Sequence, residues 1–281
     1  MNIIENIKDT KAEIKRLKGA GKSIGMVPTM GFLHEGHMSL VNKSVSENDV
    51  TVVSIFVNPT QFGPNEDLEA YPRDFDRDRD MLNKAGADII FFPTPTDIYP
   101  ENYLTTIKLT GVTENLCGLS RPGHFDGVST IVCKLFNIMS PDRAYFGSKD
   151  YQQLQVIKSM VRDLNMDVEV IGMPIIREAD GLALSSRNVY LKDEERGAAL
   201  SLSKSFNLVE SLIKDGERDA KAIRNKVIDF IHSHANTNVD YVELVHPEMI
   251  SSLETIDGDF VLALAVKVGK ARLIDNKYFT I

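Results

Sequence analysis

The stretch Met26-Val-Pro-Thr-Met-Gly-Phe-Leu-His-Glu-Gly-His37 decides how this chain is read. It carries an H-x-G-H signature, His34 to His37, just after the apolar run Ile24–Val27 and at the entry to a helical pattern, Gly36–Glu47. A β-branched run, Val50–Val57, comes next, so the whole piece reads as one βαβ unit. Backbone N–H groups at a helix start lack intrahelical partners and carry partial positive charge, so they favour phosphate. The two imidazoles share one face of that first turn. Gly36 between them admits close approach of a large ligand. Such an arrangement suits a nucleoside triphosphate whose α-phosphorus is being attacked.

Two plainer readings compete. With 6 His and 18 Gly in 281 residues, H-x-G-H arises by chance in about one such chain in a hundred. A His pair could also ligate a metal, but its third ligand would have to come from elsewhere. Cys117 and Cys133 have no zinc-ligand spacing. The strand–loop–helix context favours phosphate over both.

The chain is long enough to bury a full core in one large or two medium domains. No apolar run approaches the ~20 residues that span a bilayer, and Met1–Leu17 alternates charge with apolar residues at helical spacing, without a signal-peptide core. Two cysteines, expected to be small buried residues, suit a reducing compartment, so a cytoplasmic location is expected. The net charge of −8 and the absence of a basic block argue against nucleic-acid binding. A small anionic substrate is compatible with it, because a few cations in one cleft outweigh a negative exterior.

Strand patterns at Ile24–Val27, Val50–Val57, Asp88–Phe92, Arg143–Phe146 and Val168–Ile171 alternate with helical patterns at Gly36–Glu47, Asp74–Lys84, Val128–Met139 and Tyr151–Leu164. This alternation predicts an α/β fold, a Rossmann-like doubly wound parallel sheet, over residues 1–183. A bulky loop, Asn58–Tyr71, follows the second strand, where such sheets line their ligand crevice. Two amphipathic helices, Lys192–Lys214 and Asp219–His234, then a strand Asp240–Val245 and a hairpin Phe260–Val268 with Ala271–Ile274, predict a smaller C-terminal α+β domain over 184–281. The boundary falls within Ile176–Leu191.

Five polar clusters stand at predicted strand ends or helix starts: His34/His37, Asn58-Pro-Thr-Gln61, Arg121-Pro-Gly-His124, Gly147-Ser-Lys-Asp150 with Gln153, and Ser185-Ser-Arg187-Asn188. Singly, each has a structural explanation. Asn58-Pro59 opens turns, Ser148 or Asp150 could cap a helix, and Arg121 and Lys149 could be solvated cations. Together they fall where one crevice above the sheet would collect them.

These segments resemble the motifs of the pantoate–β-alanine ligase (pantothenate synthetase) family. Pro28–His37 is similar to its opening motif, Phe56-Val-Asn-Pro-Thr-Gln-Phe62 to its second and Gly123-His-Phe-Asp-Gly-Val128 to its third. Tyr145–Gln153 and Arg177–Asn188 complete the set in order across residues 20–190, while the C-terminal third agrees in length and layout only. The resemblance implies membership of the H-x-G-H nucleotidylyltransferases and an ATP-dependent joining of (R)-pantoate to β-alanine through pantoyl adenylate, releasing pyrophosphate and AMP.

Carried over position by position, the resemblance assigns Met30, Gly31, Phe32, Leu33, His34, Glu35, Gly36 and His37 to the ATP site, with His34 and His37 at the phosphates. His37 is the family's assigned proton donor, but a general-acid role is less obvious for a leaving pyrophosphate already neutralised by Mg²⁺, so charge stabilisation is expected to be its larger contribution. Gly147, Ser148, Lys149 and Asp150 join the ATP site, with Lys149 as a catalytic cation. Leu184, Ser185, Ser186 and Arg187 form a phosphate clamp, and Ile176 offers backbone groups to adenine. Gln61 and Gln153 hold pantoate, and Gln61 also lies near β-alanine. Asn58, Arg121 and His124 are further substrate-contact candidates. The Mg²⁺ ligands are not assigned; Asp78 or Asp80 could serve, or the acidic run could be an exposed helix face. Partners are small molecules, with no nucleic acid or membrane, and a homodimer is expected by family analogy. A tRNA synthetase is disfavoured by the acidic balance and the lack of an anticodon-type domain. A mere nucleotide sensor would not need Gln61 and Gln153.

Overall fold

The computed structural model describes residues 1–64, 66 and 68–281. The chain divides into two compact units: Met1–Leu109 with Arg121–Ser148 and Val156–Pro174, and Thr110–Ser120 with Lys149–Gln155 and Ile175–Ile281. Compared with the expected 183/184 boundary, the division falls earlier, and two short segments that precede it in the chain, Thr110–Ser120 and Lys149–Gln155, belong to the second unit.

The first unit is built on a parallel sheet: β1 (Asn2–Ile4), β2 (Ile24–Thr29), β3 (Val50–Ile55), β4 (Ile89–Phe91), β5 (Arg143–Gly147) and β6 (Glu169–Met173), in the order β1-β4-β3-β2-β5-β6. In chain order the helices are α1 (Ile7–Gly19), α2 (Glu35–Glu47), α3 (Phe75–Ala85), the single turns α4 (Pro95–Ile98) and α5 (Cys117–Ser120), α6 (His124–Met139), α7 (Tyr151–Asp163), α8 (Arg196–Lys214) and α9 (Ala220–His232). β2 and β3 read as near-continuous apolar runs because both faces are covered. Val27, Val53, Ile55, Ile90 and Tyr145 share one core with Leu40 and Val41 of α2 and Leu82 of α3. Met26, Val52, Ile89 and Phe91, on the alternate parity, are equally buried.

The expectation for the N-terminus needs correction. Asn2–Ile4 is a strand in register with Ile89–Phe91, and the helix begins only after Asn6, whose side chain caps it. Three residues are too few for a period-2 signal, and long-range pairing with β4 overrides the local helical spacing. Helix α6 starts at His124, four residues earlier than its apolar periodicity indicated, because Gly123 (φ +82°) turns the chain there. Asn65 and Asp67, in the loop expected over Asn58–Tyr71, lie outside the described residues; its opening is a 3₁₀ turn, Pro59–Gln61. Cys117 and Cys133 are free and half-buried rather than fully buried.

The second unit has an antiparallel sheet, β7 (Thr237–Val245), β8 (Phe260–Val268) and β9 (Ala271–Phe279), in that order. The hairpin's second strand runs five residues beyond the expected Ile274, paired as far as Phe279 with Phe260. Central β8 is apolar on both faces. Phe260, Leu262, Leu264 and Val266 pack in one core with Leu202, Phe206 and Val209 of α8 and Ile223, Val227 and Ile231 of α9. Val261 and Ala263 face Leu116 and Tyr151, which is why the segments around those two residues fold with this unit. Among the described residues no helix is long and apolar enough to cross a membrane.

Candidate active site

The order of a doubly wound sheet reverses at one point, and here it reverses between β2 and β5. Ligands of open α/β sheets bind beyond the C-terminal strand ends at that reversal. In the first unit, β2 runs into Met30–His34, β3 into Phe56–Gln61 and β5 into Gly147-Ser148, so three candidate segments leave neighbouring strands in the same direction.

The first of these segments is held in a sharp turn. Gly31 (φ +82°) and Phe32 (φ +51°) are both left-handed, and a Cβ on Gly31 would lie 3.1 Å from both Asp78 Oδ2 and Ile55 Cγ2. The turn aims the N–H groups of Phe32 and Leu33 at the Asp78 carboxylate, at 2.7 and 2.8 Å. Arg77 donates to the Leu33 carbonyl at 2.9 Å and lies over the Phe32 ring. Asp78 is buried on the first turn of α3; burial pushes its carboxyl upward, against the opposing pull of the Leu33 and Phe32 N–H groups. The acidic run is therefore not one exposed face. Asp80 is exposed beside Arg79, whereas Asp78 braces the loop. Both Asp78 oxygens accept from backbone donors of the turn.

His34 is the N-cap of α2, and its Nδ1 accepts from the Gly36 N–H at 3.1 Å. His37 Nδ1 accepts from the His34 N–H at 3.3 Å, and the two rings lie tilted at 39° with centroids 4.1 Å apart. A Cβ on Gly36 would come within 2.8 Å of the His34 ring, so this glycine makes room for an imidazole. At this helix start the Gly36 N–H is taken by the His34 ring, and in the turn before it Gly31, Phe32, Leu33 and the N-cap His34 also donate to protein side chains. With Nδ1 accepting, a neutral ring carries its proton on Nε2.

Gln61 is held from two sides. Its side-chain oxygen accepts from Asn58 Nδ2 at 3.0 Å, and its Nε2 donates to Met30 Sδ at 3.3 Å, joining the second segment to the first. Its backbone carbonyl meets His124 Nδ1 at 2.8 Å, and His124 Nε2 lies 3.1 Å from Arg121. Arg121 is not a free cation. It makes a two-point pair with Glu66 at 2.7 and 2.5 Å, which holds that carboxylate below its ordinary range. Asn58 is buried, with its oxygen accepting from Tyr99 Oη at 2.8 Å and Thr60 Oγ1 at 3.0 Å. A Cβ on Gly127 would fall 2.4 Å from the Thr60 carbonyl oxygen, so this glycine of the third motif admits the 3₁₀ turn against α6.

Within the second unit, Lys149 lies in the 3₁₀ turn Ser148–Asp150, where its carbonyl accepts from Asn276 Nδ2 at 2.9 Å. Gln153 follows on α7, half-buried. Residues 176–188 form a tight loop. Leu184 N–H donates to the Ile176 carbonyl at 2.9 Å, Arg177 bridges to Ala183, and Gly181 turns at φ +99°. Arg177 anchors the loop by two bonds to buried Asp275, at 2.7 and 2.9 Å, while Arg196 grips Glu178 and Asp180. Burial drives the Asp275 carboxyl upward, and Arg177 opposes it. Ser185 then caps the 3₁₀ turn Ser186–Tyr190, with its Oγ accepting from the Arg187 N–H at 3.3 Å.

Glu66, Tyr99, Asp275 and Asn276 were not singled out by sequence, and Asp78 was named only as a possible Mg²⁺ ligand, not as a brace. Each acts at long range on another residue, and only Asp78 left a signal, as one member of a dense acidic run. Among the described residues no group of three His, Cys, Asp or Glu could hold a metal ion, so the His pair finds no third ligand.

The family model for pantoate–β-alanine ligase matches residues 2–278. The pantothenate synthetase of Acetivibrio thermocellus is 58% identical over 276 residues, covering 98% of each chain. That of Thermotoga petrophila is 55% identical over 98% of this chain and 99% of its own. The crystal structure of pantothenate synthetase from Thermus thermophilus superposes with a TM-score of 0.92 at 42% identity over 99% of each chain. The Francisella tularensis ligase, solved in complex with β-γ ATP and β-alanine, gives 0.79 at 36% identity over 99% of this chain and 97% of its own. The chain therefore belongs to the pantoate–β-alanine ligase family of enzymes.

Proposed function

We propose that this chain condenses (R)-pantoate with β-alanine, using ATP, through a pantoyl-adenylate intermediate. A pantoate carboxylate oxygen attacks the α-phosphorus, the bond to the bridging oxygen breaks, and pyrophosphate leaves. The β-alanine nitrogen then attacks the acyl carbon, AMP leaves, and the nitrogen gives up a proton as the amide forms. A carboxylate is a poor electrophile until AMP becomes its leaving group, and a closed site protects the mixed anhydride from water. The ligands bound by the Francisella tularensis relative support ATP and β-alanine as substrates.

His34 and His37 act on the triphosphate as neutral Nε2–H donors. An imidazole that gives up a proton as imidazolium needs both nitrogens protonated, and here Nδ1 of each ring accepts from a backbone N–H. Their contribution is stabilisation of charge developing on phosphate oxygens. By family likeness, Gly147 to Asp150 with the Lys149 cation, the Leu184–Arg187 clamp and the Ile176 backbone serve ATP. Gln61 and Gln153 hold pantoate. Asn58, Arg121 and His124 act through Gln61, because their polar atoms are engaged with it or with its supports.

Mg²⁺ fits as a passenger of the triphosphate. This ion keeps its waters and binds substrate phosphates rather than all-protein cages, and the described residues offer no such cage. Bound there, it would neutralise phosphate charge. A homodimer and a cytoplasmic location rest on family likeness, the second also on two free thiols.

The paired imidazoles beyond β2, linked through Met30 to Gln61 beyond β3, carry this reading. An omission assay tests it: AMP and amide should form together only with ATP, pantoate and β-alanine all present. ADP in place of AMP would refute the adenylate route.

A further inference from the structure

We infer that the Gly127 carbonyl sets the polarity of the Gln61 amide, and so makes Gln61 a hydrogen-bond donor toward the acid substrate. The argument starts from a group whose role has no ambiguity. A backbone carbonyl only accepts, so the atom of Asn58 that lies 3.2 Å from Gly127 O must be its NH₂ group. The two hydroxyls on the other side of Asn58, Tyr99 Oη at 2.8 Å and Thr60 Oγ1 at 3.0 Å, accept either orientation, since a hydroxyl both donates and accepts. They stabilise the arrangement without choosing it.

The choice then propagates. Asn58 Nδ2 has a second proton, and it points at Gln61, 3.0 Å away. Gln61 must answer with its oxygen, which leaves Nε2 on the side of Met30, whose sulfur is only a weak acceptor at 3.3 Å. A thioether is readily outcompeted by a carboxylate or hydroxyl oxygen. Gln61 therefore presents N–H to the substrate, and its recognition favours an acceptor oxygen. The alignment requires Gly127 itself, because a Cβ there would fall 2.6 Å from the Gln61 backbone nitrogen. Asn58 is thus a positioning residue, buried away from solvent and acting through Gln61.

The inference rests on Gln61 contacting the acid, and the experiment separates the two. Asn58→Asp replaces the donor with an acceptor, so Gln61 turns its Nε2 toward Asp and its oxygen toward the substrate. We expect the KM for pantoate to rise at least tenfold while the KM for ATP stays within about twofold, the pattern expected when a paired acceptor meets an acceptor. Tyr99→Phe removes a stabilising hydroxyl without changing polarity, so its pantoate KM should stay within about threefold of wild type. Gln61→Ala tests the underlying contact. If it leaves the pantoate KM unchanged, that reading fails. If it raises the KM but a folded Asn58→Asp does not, the polarity inference alone is overturned. Should Asn58→Asp fail to fold, wild-type enzyme with ¹⁵N-labelled Gln decides the matter: pantoate should shift the Gln61 side-chain NH₂ resonances, and unshifted resonances at saturation would overturn the inference.

Discussion

Replacing Asp78 perturbs the His34 loop without touching a residue proposed to contact substrate. Its two oxygens accept from the N–H groups of Phe32 and Leu33 at 2.7 and 2.8 Å, in a buried setting. Asp78→Ala leaves both donors buried and unpaired, at about 1–3 kcal/mol each, so about 2–6 kcal/mol together. Asp78→Asn is a subtler case. One N–H keeps an acceptor and the other meets an NH₂ group, losing a charge-assisted bond worth about 1.5–3 kcal/mol. Burial opposes the charged carboxylate here, as the upward push on its pKa shows, so neutralising the group recovers part of that loss. The net cost of Asp78→Asn should be about 1 kcal/mol, or roughly 2–4 °C in Tm, and that of Asp78→Ala two to several times larger. Both variants should slow adenylation by about tenfold to a hundredfold, because a displacement near 1 Å at the imidazoles is enough for such a loss. Calorimetry and single-turnover adenylation measure the two quantities. Variants that both melt within a degree of wild type and adenylate at its rate would refute the brace.

Other consequences are independent of that loop. Arg177→Ala strands the Asp275 carboxylate in a buried site and should destabilise the second unit by about 3–5 kcal/mol in chemical denaturation; Arg177→Lys should recover only part, because it cannot make both bonds. Arg121 holds Glu66 below its ordinary value of 4.5, so the pair's contribution is complete above pH 4.5 and is lost as pH falls through the lower folded value. The wild-type advantage in Tm over Glu66→Gln should therefore be constant above about pH 5 and shrink in acid; an advantage that grows in acid would contradict the assignment. His34→Ala and His37→Ala should each cut adenylation by about 10²-fold, and wild-type-like single turnovers in both would remove the imidazoles from the phosphates.

Much of this arrangement was legible in the sequence, for identifiable reasons. The alternation of buried strands and amphipathic helices gave the α/β class, because parallel strands covered on both faces must be apolar throughout. The H-x-G-H stretch gave the position of the imidazoles, but not what holds them. The capping of α2 by its own histidines and the Asp78 brace depend on a turn whose geometry two left-handed residues set. Asn2–Ile4 escaped notice because a three-residue strand is specified by its partner β4 rather than by its own pattern. Arg121 read as a ligand or a surface cation because its partner, Glu66, is 55 residues away in sequence. The inclusion of Thr110–Ser120 and Lys149–Gln155 in the second unit was equally hidden, since it depends on the second face of β8.

The central claim is that the acid is adenylated before the amine enters, and isotope exchange tests it most directly. Given Mg²⁺, ATP, pantoate and labelled pyrophosphate, with β-alanine withheld, the enzyme should incorporate label into ATP. Lys149→Ala should suppress that exchange while affecting aminolysis of preformed pantoyl adenylate much less, since its charge acts on the phosphates. Absence of exchange in the wild type, with amide still forming once β-alanine is added, would contradict the account.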